Sequence, residues 1–173
     1  ASRLFEGEGE LWMVDQHAAH ERVIYERLLR QGDRPRDLLF PLVVHLSPEE
    51  RALLEELREE LERTGFRIRP VSGDAVILDA IPSAFQHELD AEAFRALLHE
   101  VAGGGKEHRL DRYRKTVACK AAVKAGDPLS PEARRRLIED WMACETPQFC
   151  PHGRPVVYRI SRRELDRKFH RPG

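Results

Sequence analysis

Aromatic residues make up only 7% of the 173 positions, cysteines number three, and no apolar run approaches the ~20 residues that a membrane-spanning helix requires. No basic segment followed by an apolar one marks a secretion signal. Three widely spaced cysteines, Cys119, Cys144 and Cys150, cannot form a disulfide framework. They point to a reducing compartment, where thiolates stay available for metal. Net charge is −1, so no global basic excess announces a nucleic-acid binder. No phosphate loop is present: Gly103-Gly104-Gly105 lacks the lysine, the hydroxyl and the preceding strand that such a loop needs. Neither a Ser-His-Asp pattern nor a cysteine placed for nucleophilic attack stands out, and nothing reads as a recognition helix for the major groove.

What is present is a polar composition with 41% hydrophobic and 34% charged residues, long enough for one domain or two small lobes with a core. The near-neutral total hides a distribution. Residues 106–124 and 154–171 are rich in Lys and Arg, and 49–62 are acidic. Two basic segments permit a DNA-facing surface, although solvated helix faces have the same composition.

The most informative stretch begins at Asp15-Gln16-His17-Ala18-Ala19-His20-Glu21-Arg22 and runs to Glu26. It follows Leu11-Trp12-Met13-Val14, an apolar run that reads as a buried strand, and opens a helical pattern of Ala18, Ala19, Val23, Leu28 and Leu29 among charged residues. Asp15 is a natural N-cap. His17 and Glu21, four apart, project from one helix face. An imidazole and a carboxylate so placed, beside an aspartate at a strand end, can converge on one cation. Glu26 is about half a turn out of phase with His17 and should face away from the metal, while His20 should face solvent or lie behind the ligands. Far along the chain, Cys150-Pro151-His152-Gly153-Arg154-Pro155 puts a thiolate and an imidazole two apart on a loop stiffened by proline. Together these residues supply nitrogen, oxygen and sulfur donors suited to zinc- or manganese-like ions. Cys144 reads as a small buried hydrophobe. Cys119, in Ala118-Cys119-Lys120, reads equally as a buried small residue or a ligand. Arg154 could hold a phosphate or orient Asp15 or Glu21 from behind.

Between these motifs, 3–5 and 11–14 read as strands around a turn at 6–10, a start that suggests a fragment of a longer protein. A break at 31–35 precedes Arg36-Asp37-Leu38-Leu39-Phe40-Pro41, apolar at its centre, where Leu39 could be a linker residue tucked against the core. Ser47-Pro48-Glu49-Glu50 is a capping box for a helix to about 64, closed by Gly65. Strands are expected at 66–70 and 75–81, and a helix from Asp90 to about 102. This unit holds His87 and His99, and no chemistry is assigned to it. A helix over 110–124, a helix capped by Ser130 through about 143, a loop over 147–155, a strand over 156–160 and a last helix capped by Ser161 complete the chain. The expected class is α+β with two lobes. One is discontinuous, built from 1–44 and 105–173, with a sheet and helices. The other, 45–104, is inserted.

The Asp15-to-Glu26 stretch, the Ala-Cys-Lys stretch, the Cys-Pro-His-Gly-Arg-Pro stretch and the closing Phe169-His170-Arg171 together resemble the C-terminal endonuclease domain of the MutL family of DNA mismatch-repair proteins. The family signature, DQHA, two residues, E, four residues, E, is matched without departure by Asp15 to Ala18, Glu21 and Glu26. The resemblance spans nearly the whole chain. It implies that the discontinuous lobe dimerises through its sheet, that the inserted lobe is an external, regulatory one, and that Cys119 lies near the metals. It also implies a missing ATPase domain and linker, a bacterial, cytoplasmic and nucleoid-associated setting, and contact with a mismatch-recognition protein through the full-length chain. Many bacterial members carry a β sliding clamp-binding motif, Gln-x-x-Leu/Ile-x-Pro. Leu39 and Pro41 fit it, and Arg36 stands in place of the glutamine.

The mechanistic expectation is a cation at Glu21, Cys150 and His152 and a second near Asp15 and His17, polarising a phosphodiester and acidifying a water, with Asp15 binding the second ion or orienting the water. The product would be a nick in duplex DNA without sequence specificity. The alternative is a structural zinc-bound dimerisation and clamp-docking module without its own catalysis. Asp15 favours the enzyme, because a four-donor structural site is complete without it.

Overall fold

The computed structural model describes residues 2–7, 10–85, 89–102, 108–124 and 126–170, with the backbone alone at 2–7 and 102. The turn residues Glu8 and Gly9, His87, the three glycines at 103–105, Lys106 and Arg171 lie outside the described residues. The chain is α+β. In order it forms β1 (Ser2–Gly7), β2 (Glu10–Asp15), α1 (Gln16–Gln31), β3 (Pro35–His45), α2 (Pro48–Arg63), β4 (Arg67–Pro70), β5 (Ala75–Pro82), α3 (Ala91–Ala102), α4 (Arg109–Ala121), α5 (Pro131–Met142), β6 (Val157–Ser161) and α6 (Arg162–Lys168).

Contacts divide the chain into two units, Ala1–Val23 with Val123–Gly173, and Ile24–Ala122. The boundary falls inside α1. The first unit holds an antiparallel sheet in the order β1-β2-β6. Its core gathers Val14, Ala18, Ala19, Leu137, Trp141, Cys150 and Val156. Strand β2 runs directly into α1. The Asp15 amide still donates to the carbonyl of Val156 (2.9 Å), while its carboxylate accepts from the amides of His17 (2.9 Å) and Ala18 (3.0 Å). One residue thus ends the strand and caps the helix.

The second unit is built on a sheet in the order β3-β5-β4. Ser47 and Glu50 form the expected capping box at α2. Gly65, at φ 102°, turns the chain out of the helix toward β4. Tyr113, Phe94, Leu54, Leu61 and Leu78 are among the large side chains buried in its core.

Three local expectations are corrected. Residues 36–41 are not a linker but part of β3, an edge strand. Pro41 removes a ladder donor, and the strand accommodates it where its pairing with β5 slips between Asp37 and Leu42. Leu39 is not tucked against a core but 88% exposed. Helix α4 stops at Ala121 rather than 124, because the Val123 amide donates to His20 instead of to a helical carbonyl. Cys144 is half-buried rather than buried. It follows the C-cap of α5, where its thiol donates to the Asp140 carbonyl (3.4 Å).

Candidate metal centre

Glu21 lies in the first turns of α1 and is only 3% exposed. One carboxylate oxygen faces His17 Nε2 at 3.2 Å, and the other faces His152 Nδ1 at 3.7 Å. Donor atoms of Glu21, Cys150 and His152 all lie within 4.8 Å of one another. Ligands held about 2.0–2.3 Å from a common zinc-like ion stand roughly 3–4 Å apart, so the cluster has the right scale.

The loop is fixed locally. The Cys150 amide donates to the Arg154 carbonyl (2.8 Å), and the Gly153 amide donates to the Cys150 carbonyl (2.9 Å). Gly153 adopts φ 81°, a conformation that side-chain-bearing residues resist. Phe149 bridges Pro155 across this turn. The Arg22 guanidinium, next in sequence to Glu21, donates to the Phe149 carbonyl at 2.7 Å. That bond ties the cysteine loop to the helix presenting the carboxylate. Cys150 itself is 1% exposed and belongs to the buried core of the first unit.

His17 carries the clearest electrostatic information. Its Nδ1 sits 2.8 Å from the Val123 carbonyl, which can only accept, so Nδ1 bears the proton. That leaves Nε2 as the nitrogen turned toward the buried carboxylate of Glu21. With the ring neutral, its Nε2 lone pair and the carboxylate oxygen 3.2 Å away would suit a cation held between them. A ligating histidine held by its other nitrogen to a carbonyl is a common arrangement in metal sites. By the chemistry of its donors, the cluster fits a divalent metal.

The remaining sequence candidates are spread over both units. Asp15 is not among the grouped donors, and one of its oxygens is committed to the helix cap. Arg154 extends into solvent. Glu26 is buried and pairs with Arg30 at 3.0 Å, in the second unit. Cys119 stands on α4, also in the second unit. Arg36 donates to the Phe85 carbonyl (3.1 Å), and Leu39 and Pro41 are exposed on β3. Sequence reasoning did not reach Arg22, Gln16 or the peptide of Val123. Arg22 lies inside the motif and could have been found there. The backbone of Val123 has no sequence signal.

A small α+β unit with two imidazoles and a thiol gathered around a buried glutamate at a strand-to-helix junction defines a candidate metal-binding domain. Residues 4–129 match the model of the MutL C-terminal dimerisation domain, and the chain belongs to that family. The loop from Cys150 to Arg154 lies beyond the matched span. The chain is 40% identical over 97% of its length to a protein named DNA mismatch repair protein MutL from Methanothrix thermoacetophila, covering 31% of that protein. Proteins of the same name from Kosmotoga olearia and Chlorobaculum tepidum are 38% and 37% identical, over 97% and 93% of this chain and 28% and 27% of theirs. The chain thus spans about three tenths of the length of these curated relatives.

Proposed function

We propose that this chain is the metal-dependent DNA-nicking and dimerisation domain of a mismatch-repair protein. The observation that carries this reading is the convergence of Glu21, Cys150 and His152, with His17 on the same buried carboxylate. Zinc, manganese or both would be held by these residues, with Asp15 and Cys119 as further ligands. A bound divalent ion would supply charge neutralisation at a phosphodiester and a more acidic water. The chain's own residues do the rest. His17 and Glu21 present donors from a rigid helix, Cys150 and His152 close the site from the loop, and Arg22 fixes loop to helix. Asp15 would align the attacking water with the carboxylate oxygen opposite its cap, and Arg154, projecting into solvent, would hold a phosphate through its planar fork. The same reading makes one lobe the dimerisation lobe and the other the external, regulatory one. The bounds expected from sequence, 1–44 with 105–173 and 45–104, give way to Ala1–Val23 with Val123–Gly173 and Ile24–Ala122, because β3 pairs with β5 and α4 packs on α3.

The partners we propose are duplex DNA, a second copy of the chain, a β sliding clamp at Arg36, Leu39 and Pro41, and a mismatch-recognition protein through the full-length chain, in a bacterial cytoplasm at the nucleoid. No described helix is long and apolar enough to cross a membrane, and no membrane partner is proposed.

One observation favours the structural-module alternative: His17, Glu21, Cys150 and His152 already make four donors, while Asp15 caps a helix. The test compares the parent, Asp15→Asn and Cys150→Ser for bound metal and for nicking of supercoiled plasmid with manganese, at low salt because phosphate contacts fade steeply with ionic strength. Cys150→Ser should lose both metal and nicking. Asp15→Asn keeps a capping oxygen and should keep metal, yet nick orders of magnitude more slowly. Nicking by Asp15→Asn at the parental rate makes Asp15 only a cap. A parent that binds metal and saturating DNA without nicking hands the function to the structural module.

A further inference from the structure

We propose that His20 is a positioning residue for the metal centre. It holds the Val123 peptide so that the carbonyl of Val123 fixes His17 in the tautomer that turns an Nε2 lone pair toward Glu21. This rests on the metal-centre reading above and extends it to a residue outside the proposed ligand set.

The geometry is a clasp on one residue's backbone. The Val123 amide donates to His20 Nδ1 at 3.0 Å, and the Val123 carbonyl accepts from His17 Nδ1 at 2.8 Å. An amide can only donate, so His20 Nδ1 is bare. A carbonyl can only accept, so His17 Nδ1 is protonated. Two histidines three apart on one helix therefore bind both polar groups of Val123, each in the opposite protonation pattern. The segment that follows is tied to the same helix end. Gln16 donates from its side-chain amide to the carbonyls of Lys124 (3.2 Å) and Asp127 (3.0 Å), and the Asp127 carboxylate accepts from the Lys124 amide (2.9 Å). Val123 is buried at 3% exposure, so its amide has a strong need for a protein acceptor. Remove the acceptor at position 20 and the peptide must turn to find another. The carbonyl then leaves His17, whose ring is no longer held with Nε2 toward Glu21. Residues behind metal ligands act in this way, by orienting the ring and choosing its tautomer.

The experiment uses the whole chain and three substitutions. Asn at position 20 places an oxygen near the site of Nδ1 and restores the acceptor. Leu has similar size and no acceptor. Both lack the ring's Nε2, so any other bond of His20 is lost equally, and their difference isolates the clasp. Co2+ is titrated by visible absorption at one pH and ionic strength, and the His17 ring nitrogens are followed by NMR in metal-free protein. His20→Asn should bind Co2+ close to parental strength and keep His17 protonated at Nδ1. His20→Leu should bind about 10- to 100-fold more weakly and lose the single tautomer. Should His20→Leu fail to fold, His20→Ala takes its place. Equal Co2+ affinity in parent and His20→Leu, or equally weak binding by the Asn and Leu variants, overturns the inference alone. A parent that binds no Co2+ overturns the metal-centre reading and this inference together.

Discussion

At the scale of single residues, Glu21 is the expensive one. A carboxylate at 3% exposure, flanked by two imidazoles rather than by Lys or Arg, is costly to bury without a positive partner. If a metal ion is that partner, Glu21→Gln should raise the melting temperature in chelator and abolish the further rise that Zn2+ gives the parent. A variant melting lower than the parent in chelator would mean that Glu21 already has its counter-charge in the metal-free protein. Gly153 offers a second test, because a Cβ there would meet nothing within 4 Å and only its φ of 81° resists substitution. Gly153→Ala should therefore cost about 1–2 kcal/mol by urea unfolding. Gly65→Ala should cost more, because its Cβ would stand 2.8 Å from the Arg34 carbonyl as well as at φ 102°. Equal losses would mean that the close approach relaxes. The residues of the centre were legible because their chemistry is in their side chains: His17 and Glu21 by helical spacing, Cys150 and His152 by type. What could not be read was the backbone they lean on, since the peptide of Val123 looks like any other in sequence.

The elements were legible where capping residues declare them. Ser47, Ser130 and Ser161 each accept from the amide three residues on, and the helices begin where those serines stand. Strand β3 was hidden, because prolines at 35 and 41 and an exposed Leu39-Phe40 tip argue against a ladder, and only the slip in pairing reconciles them with one. One of the caps also makes a pH prediction. Burial pushes the Glu50 carboxyl up, but the Ser47 amide, Arg95 and His99 outweigh it and hold the carboxyl below its ordinary 4.5. A carboxylate whose folded value is depressed stabilises the fold above its unfolded value and loses that contribution as pH falls through the folded one. Melting temperatures of the parent should therefore drop more steeply than those of Glu50→Gln as pH falls below about 4.5. Parallel curves would show that the Arg95 and His99 contacts contribute nothing to folding.

At the scale of the whole molecule, the α+β class could be read from periodicity, but which sheet face stays uncovered could not, since that depends on how β2 and β6 pair. Their register sets Leu11 opposite Ile160 and Met13 opposite Tyr158, and directly opposed residues share a face. The other face carries Val14 opposite Val157, packed into the core, and Trp12 opposite Arg159, whose guanidinium lies 4.2 Å over the indole ring. One side of this sheet is thus covered from within the unit, while the other presents four apolar side chains, with Tyr158 63% and Met13 37% exposed. A sheet face of this kind is a natural seat for self-association, and the proposed dimer should use it. Replacing Met13 and Tyr158 together by Asp puts two like charges on directly opposed positions of that face, so two copies would bring four together with no counter-charge. Neither side chain belongs to the buried core of the unit, so the monomer should still fold. Sedimentation should then show the parent at twice 20.0 kDa and the double variant at 20.0 kDa, with unchanged far-UV dichroism. Leu39→Asp, an exposed apolar position on the other sheet, should leave the dimer intact. A double variant that still sediments as a dimer would move the interface off this sheet, and a Leu39→Asp monomer would point instead to β3.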